Sequence, residues 1–217
     1  MTASPARAST GLRYLALGDS YTIGEGVAAE ERWPHHLVRL LAMRGIRVAP
    51  PEIVARTGWT TDELQAGIDA ATLSPPYDLV SLMIGVNNQY RGRALAEYRG
   101  QFRALLARAV SFAGSAASRV LVLSIPDWGV TPFAEGRDRA RIGAEIEHFN
   151  AVNRDEAGRS GARYVDVLPT SRLAAGAPHL SAADGLHPAG AMYALWAELA
   201  LPHALAALGP RAIFTTT

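Results

Sequence analysis

The sequence predicts a three-layer α/β/α sandwich, in which helices cover both faces of a mostly parallel five-stranded sheet. Short apolar runs alternate with longer segments of helical period along the chain, and this alternation is typical of βα units. Each predicted strand is short and apolar, as expected of a strand that is buried on both faces. The 217 residues, 49% of them hydrophobic, can bury a substantial core and fit a single domain over residues 1–217 better than two domains.

The predicted strands are residues 14–17, 47–54, 79–84, 120–124 and 163–167. Apolar residues recur at helical spacing over residues 95–109 and 142–152, which predicts two helices packed on the sheet. A last helix is predicted from about Pro188, because proline suits a first helical turn, and Pro202 is expected to end or kink it. The termini, residues 1–10 and 211–217, are predicted to be flexible.

Composition excludes several classes of function. The 21 Lys and Arg against 20 Asp and Glu leave a net charge of +1 without a basic block, so nucleic acid is a poor candidate partner. The absence of cysteine excludes disulfides and thiolate chemistry. We expect a cytoplasmic protein, because the sequence shows neither a secretory signal nor a transmembrane segment of 18 apolar residues, and the alternative is a secreted protein whose signal has been removed. The oligomeric state cannot be read from the sequence.

The first predicted strand ends in Gly18-Asp19-Ser20, which places a serine where α/β folds collect their active residues. A serine hydroxyl is unreactive at neutral pH unless a neighbouring base activates it. These three residue types also favour turns and caps, so the motif alone fits a plain strand-to-helix turn as well as a nucleophile. We expect Asp19 to orient the turn rather than to take part in chemistry.

A base and a carboxylate stand three residues apart near the other end of the chain, in Asp184-Gly185-Leu186-His187. This spacing in a turn lets the carboxylate reach the near nitrogen of the imidazole and leaves the far nitrogen free to accept a proton from serine. The residue before a proline avoids the helical region, so His187 is expected at the mouth of the last helix. In the alternative without a catalytic role, Asp184 caps the last helix and His187 is an incidental solvent-exposed histidine.

Two further predicted strand ends offer donors for a negatively charged oxygen. Gly58 lacks a side chain, so its backbone N–H can approach a substrate, and the side-chain amide of Asn87 can supply another donor. With the N–H of Ser20 they would form a three-donor oxyanion hole. Gly58 could instead serve only a turn with positive φ, and Asn87 could be an ordinary turn residue.

These four blocks, in this order, resemble the SGNH (GDSL-type) hydrolases, a family of serine esterases and lipases. Gly18-Asp19-Ser20 resembles the first block, Gly58 the second, Gly85-x-Asn87 the third and Asp184-x-x-His187 the last. The resemblance covers residues 13 to about 200. It implies a flavodoxin-like fold, an ester or thioester substrate, and neither a metal nor an organic cofactor.

The sequence departs from the family pattern at Asn88, where the third block commonly has an acid. The donor Asn87 is intact, so catalysis is expected to survive, whereas the local hydrogen bonds and the pocket near Tyr90 are put in doubt. Trp59, Tyr90 and Trp128 follow predicted strand ends and are candidates for lining a substrate pocket, although aromatic side chains are more often simply packed.

The resulting hypothesis is a serine hydrolase that cleaves small-molecule carboxylic esters or thioesters through an acyl-enzyme on Ser20, with His187 as base and Asp184 as its orienting carboxylate. An acyltransferase or a carbohydrate deacetylase could use the same residues. A non-catalytic carbohydrate- or lipid-binding module is the alternative from another class. A metal site is not expected, because the histidines lack partners at ligand spacing apart from the adjacent pair His35 and His36.

Overall fold

The computed structural model describes residues 11–209, and a five-stranded sheet lies at its centre. The strands are β1 (Tyr14–Gly18), β2 (Glu52–Ala55), β3 (Leu79–Met83), β4 (Val120–Leu123) and β5 (Arg163–Val165). They pair in parallel in the order β2-β1-β3-β4-β5. In this doubly wound order the binding crevice lies at the carboxyl ends of β1 and β3, where the direction of winding reverses. The predicted termini, 1–10 and 211–217, lie outside the described residues.

Eight α-helices surround the sheet within residues 11–209. They are α1 (Ser20–Ile23), α2 (Trp33–Met43), α3 (Thr61–Ala70), α4 (Val86–Tyr90), α5 (Leu95–Phe112), α6 (Arg139–Ser160), α7 (Leu168–Ser171) and α8 (Gly190–Leu208). α2 and α8 pack together, while α5 packs against both α3 and α6. Together with the sheet these two groups give the three layers of an α/β/α sandwich, which confirms the predicted fold class.

The core lies on both faces of the sheet. Every residue of β1, β3 and β4 is buried, as the apolar runs in the sequence predicted. On α2, Trp33, Leu37 and Leu41 are spaced by four residues and form one buried stripe, which packs against α8. The fully buried Trp196 of α8 is among the largest side chains of this core.

The second strand is shorter than predicted. Residues 47–54 were expected to be extended throughout, but β2 begins only at Glu52, after a single bridge between Leu12 and Val48. Pro50 and Pro51 account for the difference, because neither has a backbone N–H with which to continue the ladder. The helices predicted over 95–109 and 142–152 are confirmed as parts of α5 and α6.

The last helix begins at Gly190, two residues after Pro188, and continues through Pro202 rather than ending there. Pro202 removes one helical hydrogen bond, but buried residues on both sides hold the helix in place. Among residues 11–209, α8 is the one helix long and apolar enough to cross a bilayer by length and composition. Its large apolar side chains Met192, Tyr193 and Trp196 are buried in the core, as in a packed core helix.

Candidate functional site

The turn after β1 presents Ser20 at the first position of α1. Asp19 caps this helix, since its Oδ1 accepts a hydrogen bond of 3.1 Å from the backbone N–H of Tyr21. Within residues 11–209 the N–H of Ser20 has no hydrogen-bond partner, as expected of the first amides of a helix. The turn therefore combines a hydroxyl and an unused N–H donor in one residue, which is only 4% exposed.

Asp19 itself is fully buried, in accord with the structural role expected of it. Its second carboxyl oxygen, Oδ2, has no hydrogen-bond partner among the described residues. Burial raises the pKa of this carboxyl to about 7, although the hydrogen bond from the N–H of Tyr21 acts in the opposite direction.

The turn before α8 joins Asp184 to His187. Asp184 Oδ2 lies 2.6 Å from Nδ1 of the imidazole, and Oδ1 accepts hydrogen bonds of 2.9 Å from the N–H groups of Leu186 and His187. Because Nδ1 is engaged, Nε2 is the nitrogen left for a substrate or a nucleophile. The imidazole is largely buried and packs against the ring of Tyr21, with 5.5 Å between ring centroids.

The carboxylate of this pair stays ionised. Burial alone would raise the pKa of Asp184, but the hydrogen bonds from the His187 imidazole and from the two backbone N–H groups outweigh it, and the net effect holds the pKa below its usual range. An ionised Asp184 fixes the orientation of the imidazole and would stabilise its protonated form.

The turn after β3 holds Asn87 and Asn88 in different environments. Gly85 has φ +130°, and a Cβ there would lie 2.4 Å from the hydroxyl oxygen of Tyr98, so this position requires glycine. Asn87 Nδ2 donates a 2.9 Å hydrogen bond to the carbonyl of Trp59, which uses one of its two amide hydrogens. The other hydrogen is left for a ligand.

Asn88, the residue that departs from the family pattern, faces the interior rather than the pocket. Its Oδ1 accepts from the N–H of Thr61 at 3.1 Å, and its Nδ2 donates to the Thr61 hydroxyl at 2.7 Å. The hydroxyl in turn donates to Gln101. Both functional groups of the Asn88 amide are thereby satisfied at a fully buried position.

The loop after β2 carries Gly58 with φ +84°, and its N–H has no hydrogen-bond partner within residues 11–209. Arg91 holds this loop, because its Nη2 donates a 2.6 Å hydrogen bond to the carbonyl of Gly58 while Nη1 contacts Glu63 at 3.2 Å. The bond from Asn87 to the next carbonyl, that of Trp59, ties the same loop to the turn after β3.

A cavity of about 150 Å³ brings together three of the predicted site residues, Ser20, Asn87 and His187. Of the predicted pocket residues, Tyr90 and Trp128 line it. Gly58 and Trp59 do not line it, and the ring of Trp59 lies against α3, where it occupies the space left by Gly67. Residues that the sequence analysis did not assign to the site complete the wall: Tyr21, Val86, Phe133 and Leu186.

Aromatic side chains form one side of the cavity. Trp128 is 4% exposed, and its indole N–H donates a 2.8 Å hydrogen bond to Gln89, whose amide donates to Glu145 at 2.7 Å. The rings of Tyr90 and Phe133 contact that of Trp128, with centroids 5.4 and 6.0 Å away. These contacts fix the indole as a rigid wall beside the reactive side chains.

The described residues contain no group of three or more His, Asp or Glu side chains placed to hold a metal ion. His36 uses its Nδ1 in a contact with Arg39 at 2.7 Å. The predicted site residues that line the cavity bring to it the hydroxyl of Ser20, the amide of Asn87 and the imidazole of His187.

A hydroxyl after β1, an amide after β3 and a carboxylate-imidazole pair before the last helix, all at one end of a doubly wound sheet, define a hydrolase of the three-layer α/β/α class. The chain belongs to the GDSL-like lipase/acylhydrolase family, whose model matches residues 16–195. It is accordingly a carboxylic ester hydrolase. Comparison with curated protein sequences gives no match.

Solved structures share the fold of this chain. TesA is 23% identical, with a TM-score of 0.68 over 88% of this chain and 97% of its own. Axe2, an acetylxylan esterase from Geobacillus stearothermophilus, is 21% identical, with a TM-score of 0.68 over 90% and 94% of the two chains. A lipase/acylhydrolase from Enterococcus faecalis is 22% identical, with a TM-score of 0.66 over 88% and 94%. Identities this low establish similarity of fold.

Proposed function

We propose that the chain hydrolyses small carboxylic esters through an acyl-enzyme on Ser20, with His187 as general base. The observation that carries the proposal is the shared cavity of Ser20, Asn87 and His187, combined with the 2.6 Å contact that commits the imidazole Nδ1 to Asp184. In this arrangement Nε2 accepts the proton of the Ser20 hydroxyl as the oxygen attacks the ester carbonyl. The imidazolium then donates that proton to the leaving alcohol.

Water completes the cycle. The same histidine accepts a proton from a water molecule as this attacks the acyl-enzyme, and the proton returns to Ser20 when the acid leaves. Asp184 remains ionised throughout and stabilises the imidazolium, in agreement with its lowered pKa.

Three donors without a full complement of partners are available for the oxyanion. Two of them belong to residues that line the cavity, the N–H of Ser20 and the second amide hydrogen of Asn87, and the third is the N–H of Gly58, which lies in the loop beside it. The bond from Asn87 to the carbonyl of Trp59 supports a common role, because it joins the loop of Gly58 to the turn of Asn87. Preorganised donors of this kind usually make the largest single contribution to acyl transfer.

Substitution of the nucleophile tests the proposal. Ser20→Ala is expected to abolish turnover of a short-chain p-nitrophenyl ester and covalent labelling by a fluorophosphonate. Ser118→Ala is the matched control, since Ser118 is exposed and precedes β4, at the opposite end of the sheet. Full activity in a folded Ser20→Ala variant, judged by circular dichroism, would refute the assignment of the nucleophile.

Competition with other acceptors tests the reaction type. If the wild-type enzyme acts as a hydrolase, added alcohol or sugar does not lower the rate at which it releases acid. Transfer of the acyl group to the added acceptor would make the chain an acyltransferase, and preferential release of acetate from acetylated sugars would make it a deacetylase. Absence of both turnover and fluorophosphonate labelling would favour a binding module.

A further inference from the structure

A positive charge that the proposed reaction does not use stands against the aromatic wall of the cavity. Arg137 lies in the segment between Phe133 and α6, and its guanidinium stands over three rings of the cavity wall. The guanidinium carbon is 5.4 Å from the ring centroids of Tyr90 and Trp128 and 5.0 Å from that of Phe133. The same three rings line the cavity that contains Ser20 and His187.

This charge has no carboxylate partner among residues 11–209. The one polar side-chain contact of Arg137 is a 3.4 Å hydrogen bond to the hydroxyl of Tyr90. The neighbouring carboxylates are already engaged: Asp127 pairs with Arg172 at 2.9 Å, Glu145 pairs with Arg141 at 2.8 Å, and Asp138 caps α6. The carboxylate of Glu135, two residues before Arg137, is the exception: it is exposed and, within the described part of the chain, forms no ion pair with Arg137.

The guanidinium is therefore a cation held in place by aromatic faces, with hydrogen-bond donors still unused. Stacking on rings leaves the N–H groups at the edge of the guanidinium plane free, and this edge matches the two oxygens of a carboxylate. Arg137 is exposed to solvent, so an anionic group could reach it without burying its charge.

We propose that Arg137 makes the enzyme selective for esters that carry a carboxylate besides the ester group. The inference rests on the proposed function and names its substrate class. The rings of Tyr90, Trp128 and Phe133 contact a short aryl or alkyl segment of the substrate, and Arg137 binds the carboxylate beyond that segment. Arg137 is a specificity residue in this scheme and takes no part in bond making or breaking.

Matched substrates measure this selectivity directly. With the carboxylate on the alcohol side, 4-acetoxybenzoate is compared with the neutral 4-acetoxybenzamide. With the carboxylate on the acyl side, the 4-nitrophenyl half-ester of adipic acid is compared with the corresponding 4-nitrophenyl ester of adipic acid monoamide. For each pair the ratio of kcat/KM for the anionic and neutral ester is determined at low ionic strength, and the pair that shows the preference tells on which side the carboxylate lies.

Three variants then separate charge from packing. Arg137→Gln is expected to lower the ratio about fivefold, the upper range for an exposed ion pair. Arg137→Lys should retain part of the preference, because it keeps the charge but loses the planar donors. Arg44→Gln, at the exposed end of α2, removes an equal charge far from the cavity and should leave the ratio unchanged. Since a ratio is compared, general damage to the active site cancels.

The outcomes are distinguishable. An anionic-to-neutral ratio that falls in Arg137→Gln and also falls with added NaCl in the wild type supports the inference. A wild-type enzyme that hydrolyses both members of each pair equally well, or an Arg137→Gln variant that keeps the preference, overturns it and leaves the proposed function standing. A wild-type enzyme that hydrolyses none of the four esters overturns the proposed function and this inference with it.

Discussion

The buried carboxyl of Asp19 makes the stability of the fold depend on pH in a direction opposite to that of most carboxylates. Its pKa in the folded protein is about 7, against an ordinary value of 3.8, because burial disfavours the charged form. Between these two values the folded state binds a proton that the unfolded state has released. The stability that the protonated Asp19 carboxyl contributes is therefore fully present below about pH 4 and is lost as the pH rises through 7.

The magnitude follows from the size of the shift. A displacement of about 3 pH units at about 1.4 kcal/mol each gives roughly 4 kcal/mol of unfolding free energy lost between pH 4 and pH 8. Asp19→Asn removes the titration while keeping the capping oxygen that accepts from the N–H of Tyr21. We expect this variant to match the wild type near pH 4 and to exceed it increasingly up to about pH 7, with a constant difference above.

Urea denaturation followed by fluorescence from pH 4 to 8 measures the difference between variant and wild type, so that all other titrations cancel. Asp62→Asn is the matched control. The hydrogen bond from the Thr60 hydroxyl lowers the pKa of Asp62, so this carboxyl titrates below the range measured, and its replacement should change the stability by the same amount from about pH 5 to pH 8. An Asp19→Asn difference that is flat across this range, or that falls with pH, would refute the reasoning.

Three further substitutions test the turns and the cavity wall. Asn87→Ala should reduce kcat by about 10²–10³-fold in the p-nitrophenyl ester assay, with little change in KM, and a loss below about threefold would remove it from the oxyanion hole. Gly85→Ala should lower the unfolding free energy, measured by urea denaturation, by more than about 2 kcal/mol, because the new Cβ meets Tyr98 and φ is +130°. A second substitution, Tyr98→Phe, should not restore the stability, because the backbone strain remains. Gln89→Leu should raise KM and shift the tryptophan emission, because the Trp128 indole N–H loses its acceptor at a cost of about 1–3 kcal/mol. Unchanged emission and KM would show that packing alone holds the ring.

The parts of the site that the sequence predicts are those fixed within one short turn. Asp184 and His187 are three residues apart, so a local turn suffices to bring Oδ2 to Nδ1, and the structure has this contact. The position of Ser20 follows from the apolar run that ends at Gly18. Even the late start of β2 could have been read from the two adjacent prolines at positions 50 and 51.

Contacts across distant segments could not be read in the same way. Arg137 reaches the ring of Tyr90, 47 residues earlier in the chain, and no spacing or period in the sequence relates the two. Trp59 follows a strand end as Trp128 does, yet it packs on α3 because Gly67 leaves room for its ring there. Which side chain enters a cavity depends on the volume left by its neighbours, and this is a property of the packed structure.

The departure of the third block from its family pattern has a physical explanation in this geometry. An acid at position 88 could accept from both the N–H and the hydroxyl of Thr61, whereas Asn88 accepts from the N–H and donates to the hydroxyl. The reversal requires another acceptor for the Thr61 hydroxyl, and Gln101 supplies it. The link between the turn after β3 and the start of α3 is thus kept with a neutral residue, and Asn87 remains free to serve the pocket. Since no buried charge is needed, the substitution removes a desolvation cost at this fully buried position.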